Sequence, residues 1–483
     1  NYRGETAYFE YLYFKKLDQE NSNYYSLRNT DSRSAAFYAN ATYSFNGKYV
    51  VNGTFRYEGS NQMGRTTKAR WMPTWNLSGA WNVHEESFFP KLKPLSSLTF
   101  RVSYSLTGTP PDAAYCNALT KLSMNTPYRP TTTDKELGFV VAALGNDELT
   151  YEKKHEFNFG VDAGFFNNRL NVTFDVYQRR NFDEIAPTVT QLYGTAYANV
   201  GSMKSWGEEL SISSTNIKTQ DFSWQTSLIY SHNRTEITDL YNQGRVIDLV
   251  QGNGFAKQGY PARALFSIPF VGINEKGYPV CINEKGQATV GNLNFQERDN
   301  TDYLIYEGST DPVYNGSLGN TFNYKGFHLN VFLTYAFGNV VRLDPAFSAK
   351  YNDLTSMTHD FKNRWMQPGD ENVTNVPGVV SRYEYEQNST LLATAYNAYN
   401  YTSVRTAKGD FIRLKEISLA YDFPHRWFEK SPVNNISLKL QATNLMLLYA
   451  DKKLNGQDPE FMNAGGVASP MPKQFTLTLK LGL

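Results

Sequence analysis

Five apolar residues at every second position close the chain: Phe475, Leu477, Leu479, Leu481 and Leu483, separated by Thr476, Thr478, Lys480 and Gly482. Successive side chains of a strand point to opposite faces, so one face here is hydrocarbon and the other hydrophilic. One such strand could belong to a soluble sandwich. The same alternation recurs along nearly the whole chain in segments of about ten residues, which is the signature of a transmembrane β-barrel. No apolar run approaches the ~18–20 residues of a membrane helix.

The clearest pair places Phe37, Ala39, Ala41, Tyr43 and Phe45 on one face, turns at Asn46-Gly47, and returns through Tyr49, Val51, Gly53, Phe55 and Tyr57. Asn-Gly suits a two-residue hairpin because both residues tolerate positive φ. Alternating stretches follow at 75–83, 98–104, 157–163, 170–176, 206–214, 222–232, 314–324, 327–338, 412–423 and 436–442. Aromatic-rich 8–15, apolar 262–273 and a further segment before Gly308 bring the expectation, with the terminal strand, to about sixteen strands. The frame slips at Lys415-Glu416, as a β-bulge requires. The near-duplicate Ile273-Asn-Glu-Lys-Gly277 and Ile282-Asn-Glu-Lys-Gly286 read as paired turns.

Connections alternate in length: short at 46–47, 166–168, 217–221, 325–326 and 424–434, long in between. Outer-membrane barrels have short periplasmic turns and long extracellular loops. Charge is nearly absent from one face of strand after strand, and a lipid-facing charge at mid-bilayer costs roughly 2–4 kcal/mol. The fold expected is therefore all-β, an antiparallel transmembrane barrel. The 34 Tyr and 31 Phe fit the aromatic girdles of such a wall. A net charge of +1 points to no nucleic-acid partner.

No catalytic constellation stands out: there is no His-Glu-x-x-His, phosphate loop, Gly-x-Ser-x-Gly or Cys-x-x-Cys. The six histidines lack ligand spacing, Cys116 and Cys281 read as unrelated thiols, and no enzyme activity, metal or cofactor is expected. Arg56, Arg101, Asp162, Asp175, His328, Lys439 and Lys480 fall on polar faces and are expected to line a wet or filled lumen. Recognition residues are expected on the long loops, because loops held by a rigid scaffold carry binding. The candidates to touch substrate or partner are Trp365, Tyr383, Tyr385, Tyr396 and Tyr399 in the longest loop, 339–408, and Tyr115 in the loop from 108. Aromatic rings stack on sugars and also bind peptides.

Several stretches resemble one family in order along the chain. They are Lys48-Tyr-Val-Val-Asn-Gly-Thr-Phe-Arg-Tyr-Glu-Gly-Ser60, Tyr151-Glu-Lys-Lys-His-Glu-Phe-Asn-Phe-Gly160, Asn199-Val-Gly-Ser-Met-Lys-Ser-Trp-Gly-Glu-Glu-Leu210, Asp311-Pro-Val-Tyr-Asn-Gly-Ser317, Gly409-Asp-Phe-Ile-Arg-Leu-Lys415 and Asn455-Gly-Gln-Asp-Pro-Glu460. Together they resemble the carboxy-terminal barrel of SusC-like TonB-dependent outer-membrane transporters. Leu483 departs from the terminal Phe usual in that family. The resemblance implies a twenty-two-stranded barrel of which residues 1–483 are the later part. It places the plug, an accessory N-terminal domain and the first strands outside this sequence. It also implies a cell outer-membrane location, a SusD-like surface lipoprotein as partner, energy from TonB through the plug, and oligosaccharide or oligopeptide cargo. The sequence begins at Asn1 without Met or signal peptide, and reads as a mature or truncated piece. The alternative expectation is a passive sixteen-stranded porin, in which 8–15 would pair with 475–483.

Overall fold

The computed structural model describes residues 33–89, 94–110, 120–125, 138–143, 145–190, 194–351, 357–428, 432–464 and 471–482. Thirteen strands form one antiparallel sheet, each beside its neighbours in chain order. They are β1 (Ser34–Phe45), β2 (Tyr49–Ser60), β3 (Trp71–Asn82), β4 (Leu95–Thr109), β5 (Glu152–Phe165), β6 (Leu170–Thr190), β7 (Gly194–Lys218), β8 (Phe222–Leu240), β9 (Tyr314–Tyr324), β10 (Phe327–Phe337), β11 (Phe411–Asp422), β12 (Asn435–Ala450) and β13 (Gln474–Gly482). Among the described residues, β1 and β13 are the two edges of this sheet.

Turn chemistry fixes the short ends. Asn46 and Gly47 both take positive φ, as do Lys325 and Gly326 between β9 and β10, and Asn167 and Asn168 between β5 and β6. Primed turns of this kind match the twist of the strands they join. The bulge expected at Lys415 is present: Phe332 pairs with Glu416 and Leu333 with Leu414, so Lys415 has no residue opposite it.

Thirteen of the sixteen expected strands are thus the wall. The stretch at 8–15 lies outside the described residues, so its pairing with the terminal strand is not described either. Two expectations are corrected. The segment 262–273 and the one before Gly308 do form strands, but off the wall: Ala264–Ser267 pairs with Ile305–Ser309, and Phe270–Ile273 pairs with Pro279–Ile282. Ala264, Leu265, Phe266 and Ser267 are all buried. A strand covered on both sides shows no polar face, and alternation cannot assign it to a wall.

Pairing registers place the apolar positions of successive strands in continuous rows. Phe100, Val161, Phe174, Leu210 and Tyr230 make one; Leu329, Leu419, Leu440 and Leu477 make another. No second layer covers them among the described residues. Leu438 is 37% and Leu477 69% exposed, and Phe174 and Leu329 are only half-buried. The buried apolar clusters lie instead mostly in the long loops. A sandwich would bury its apolar faces against each other; a single layer with a bare hydrocarbon face needs acyl chains against it.

Aromatic rings border that face at both ends. At the short-turn end Tyr49 stacks on Trp81, and Phe327, Tyr421, Phe423 and Trp427 form a chain of ring contacts. At the long-loop end Trp75, Tyr104 and His155 are in series, as are Tyr335, Phe337 and Tyr449. Strand β10 has 11 residues; at ~3.4 Å per residue and ~40° tilt it rises about 28 Å, close to the apolar band of a barrel. Strands β6 and β7, with 21 and 25 residues, continue well beyond the band at the long-loop end.

Candidate functional site

The two longest described connections, 241–313 and 338–410, fold together above the long-loop rim. One core joins Val246, Leu249, Phe266, Ile268, Cys281 and Ala398 from both connections; a second joins Phe347, Leu392, Ala395, Tyr396 and Tyr399. The duplicated Asn-Glu-Lys-Gly stretches are paired turns, as expected. The Asn274 Oδ1 accepts from the N–H of Lys276 and Tyr278, and the Asn283 Oδ1 from those of Lys285 and Gln287. Gly277 and Gly286 close them at φ +79° and +74°. Arg342 crosses the seam between the connections. Its guanidinium donates to the Thr402 and Phe266 carbonyls and to Ser267 Oγ. Burial draws it down to about 10, still protonated at neutral pH. Cys281 is free and buried, and burial pushes its thiol up to about 12, which makes it an unreactive core residue. Cys116 lies outside the described residues.

The aromatic candidates separate by position. Tyr396 and Tyr399 are corrected: they sit on the helix Ser389–Asn400, whose buried face also carries Leu392 and Ala395, and each is 2% exposed. The Tyr396 hydroxyl donates to the Gly378 carbonyl, and the Tyr399 ring packs edge-on against Phe347 and Phe270. The Tyr399 ring is enclosed within the cap, and Tyr396, though buried, borders the recess beside Val379. Trp365 is half-buried. Its indole lies on the backbones of Gly277 and Gly378, where a Cβ would come within 2.5 and 2.8 Å of it, and its Nε1 donates to Glu371. Tyr385 is half-buried against the second core. Tyr383 alone of the described candidates is open, at 73%. Tyr115 lies outside the described residues. Met366, Val373 and Val379 are further exposed apolar side chains on this cap. Beside Val379 a recess is lined by Phe347, Tyr351, Met357 and Phe361, with Lys350 at its edge.

On the polar face of the wall six of the seven ionic groups expected there are in partnership. Arg101 donates to Asp162 at 2.6 Å and to Asp175 at 3.1 Å, and Thr173 also donates to Asp162. Arg56 pairs with Glu58, Lys439 lies 3.9 Å from Glu416, and His328 bridges Asn323 and Asp422. Asn52, Asn76, Ser78, Ser103 and Asn158 line an adjoining amide- and hydroxyl-rich recess. Such a surface can hydrogen-bond a plug or a hydrophilic cargo.

Several stretches noted in the sequence turn out to be joints. Arg413 of Gly409–Lys415 and Asp458 of Asn455–Glu460 form an ion pair 3% and 0% exposed, with Glu460 at 3.2 Å from the same guanidinium. The Asp410 carboxylate accepts from the Gly338 N–H. The Asn199 amide donates to the Thr150 and Asp183 carbonyls and accepts from the Thr150 N–H. Gly207 lies under the Tyr177 ring, whose hydroxyl would be 2.5 Å from an added Cβ.

Glu184 stands near the far end of β6, well above the apolar band. Burial and the neighbouring Glu152 raise its carboxyl to about 7. The folded protein then holds a proton that the unfolded chain releases at ordinary carboxylate pH. Stability of this corner should fall as pH rises from about 4.5 towards 7, by on the order of 1 kcal/mol after solvent screening. Glu184→Gln should flatten that slope, measured as local hydrogen exchange of 183–200 at two pH values.

The comparisons with known proteins agree with this geometry. Residues 2–445 match the family model described as TonB dependent receptor-like, beta-barrel. TonB-dependent receptor SusC of Bacteroides thetaiotaomicron is 26% identical over 100% of this chain and 46% of its own length. TonB-dependent receptor P3 of Formosa agariphila is 25% identical over 88% of this chain and 41% of its own. The chain thus spans less than half the length of these relatives. A chain of the RagAB peptide importer in its 'closed-closed' state superposes with a TM-score of 0.75 over 95% of this chain and 49% of that one, at 23% identity. The wall, its two girdles and the family match converge: this chain belongs to the TonB-dependent receptor-like β-barrel family and is an outer-membrane protein.

Proposed function

We propose that the chain forms the later strands of a transporter that imports oligosaccharides or oligopeptides actively across the outer membrane. In this reading the remaining strands and the plug belong to the rest of the protein, TonB supplies the energy through the plug, and a SusD-like lipoprotein seats on the loop cap. The observation that carries it is the loop cap: two long connections share buried cores and stand over a polar-lined wall. A porin needs no such preformed platform. The names TonB-dependent receptor SusC and RagAB peptide transporter support TonB-dependent import, and the first prints no cargo, so both cargo classes stay in this reading. The exposed Tyr383 and the recess beside Val379 are the cap's contact surface for partner or cargo. The chemistry is binding and translocation, not bond-making.

The test is growth and uptake. Cells expressing the whole transporter with its neighbouring lipoprotein are given labelled maltooligosaccharides or labelled oligopeptides, with and without a functional TonB. Uptake of one class that stops on loss of TonB is the expected result. Uptake unchanged without TonB would replace this reading with passive diffusion.

A further inference from the structure

Directly above the apolar band, strands β6 to β8 carry a charged patch on the outward face. Their registers align three rows there: Val176, Glu208 and His232; Gln178, Trp206 and Arg234; Arg180, Lys204 and Glu236. Below them the same face is aliphatic or aromatic, with Phe174, Leu210 and Tyr230 in one row and Val172, Ile212 and Leu228 in the next. The polarity changes over two adjacent rows at the long-loop end, from Glu208 and His232 on β7 and β8 and from Gln178 on β6. Those rows are where the acyl region of the outer leaflet gives way to headgroups, a layer about 5–7 Å deep on each side of the hydrocarbon.

The charges in the patch do not cancel locally. Glu236 is taken up by Lys204 at 3.1 Å. Glu208 accepts from the Tyr230 hydroxyl and lies 3.8 Å from His232. Arg180 and Arg234 are exposed and have no carboxylate partner among the described residues. They flank β7 from either side, offset by one row, their Cα atoms about 12 Å apart at the usual strand spacing and rise. The Arg234 guanidinium lies over the Trp206 ring at 5.8 Å, which holds it against the wall. Beyond it a cleft is lined by His232, Tyr306 and Tyr314. Guanidinium groups bind phosphate oxygens in pairs of hydrogen bonds. Two of them beside an interfacial tryptophan, in continuity with a hydrocarbon face, complement an anionic amphiphile.

We propose that Arg180 and Arg234 bind the phosphate groups of an outer-leaflet lipid headgroup, whose acyl chains lie on Val172, Ile212 and Leu228. The seat is on the membrane side of the wall, distinct from the lumen, with Tyr306 of the cap at its upper edge. A bound lipid there would fix the height of the long β6–β7 hairpin in the bilayer.

The experiment uses the intact transporter in detergent and native mass spectrometry with diphosphoryl lipid A, its dephosphorylated form, and inorganic pyrophosphate as competitor. The unaltered protein should retain the diphosphoryl lipid at least tenfold better than the dephosphorylated one. R180Q/R234Q should lose most of that preference, while R382Q, an exposed cap residue, should keep it. Heat-modifiable gel migration verifies that each variant is folded. Equal retention of both lipids, or an unaltered preference in R180Q/R234Q, overturns the proposal. Displacement by pyrophosphate at the lipid's own concentration also overturns it, in favour of a soluble anion.

Discussion

Asp458→Ala is expected to destabilise the last loop of the transporter by about 3–5 kcal/mol, the cost of leaving a buried guanidinium without its counter-charge. One Arg413 nitrogen donates to both Asp458 oxygens, at 2.6 and 2.7 Å, and Asp458 is wholly enclosed. Glu460, 39% exposed, is the only other carboxylate on that guanidinium among the described residues, and it is too wet to replace the pair. The Asp458 carboxylate also accepts from the Glu460 N–H, so the alanine loses a turn as well as a charge. The pair ties the start of β11 to the connection that leads into β13. The loss should therefore appear as proteolysis within 451–473 at a protease level that leaves the wall intact, and as a lower unfolding temperature in detergent. Arg413→Met with Asp458→Leu should recover most of it, because removing both charges also removes the desolvation cost. A double variant as unstable as Asp458→Ala would mean that the connection is held by something other than this pair.

That joint explains why two distant sequence stretches are seen together, and it marks what sequence can carry. The wall was legible because its environment has period two: lipid on one side, water or polar protein on the other, imposed on every strand alike. Even the slip at Lys415 is visible, since a bulge moves the apolar frame by one residue. The cap has no such template. Phe266 and Ile268 are buried by residues distant in sequence, from Val246 and Leu249 to Ala398, and no local period records that. Tyr396 and Tyr399 looked like binding aromatics within a supposed loop. The signal against that was present: Leu392, Ala395, Tyr396 and Tyr399 fall at helical spacing, the pattern of one covered face. Trp365 gave no comparable sign, because its partners are the backbones of Gly277 and Gly378. Of the ionic groups, sequence placed Arg101, Asp162 and Asp175 on one face, while only the register could bring them into one cluster.

The orientation of the wall can be tested at two adjacent residues. Leu440 is 53% exposed between Leu419 and Leu477 on the apolar face. Gln441 points the other way, between Ser418 and Thr476. Leu440→Arg should cost about 2–4 kcal/mol in equilibrium unfolding from bilayers. Gln441→Arg should cost less than about 1 kcal/mol, since a lumenal cation stays hydrated. Leu440→Trp separates lipid from packed protein. Against acyl chains the larger ring meets no fixed neighbour and should be neutral, whereas in a close-packed core it would cost about 1–3 kcal/mol through overpacking. A neutral tryptophan together with a costly arginine at 440 is the outcome this wall requires. A tryptophan as damaging as the arginine would place Leu440 against protein and reverse the assignment of inside and outside for every row aligned with it.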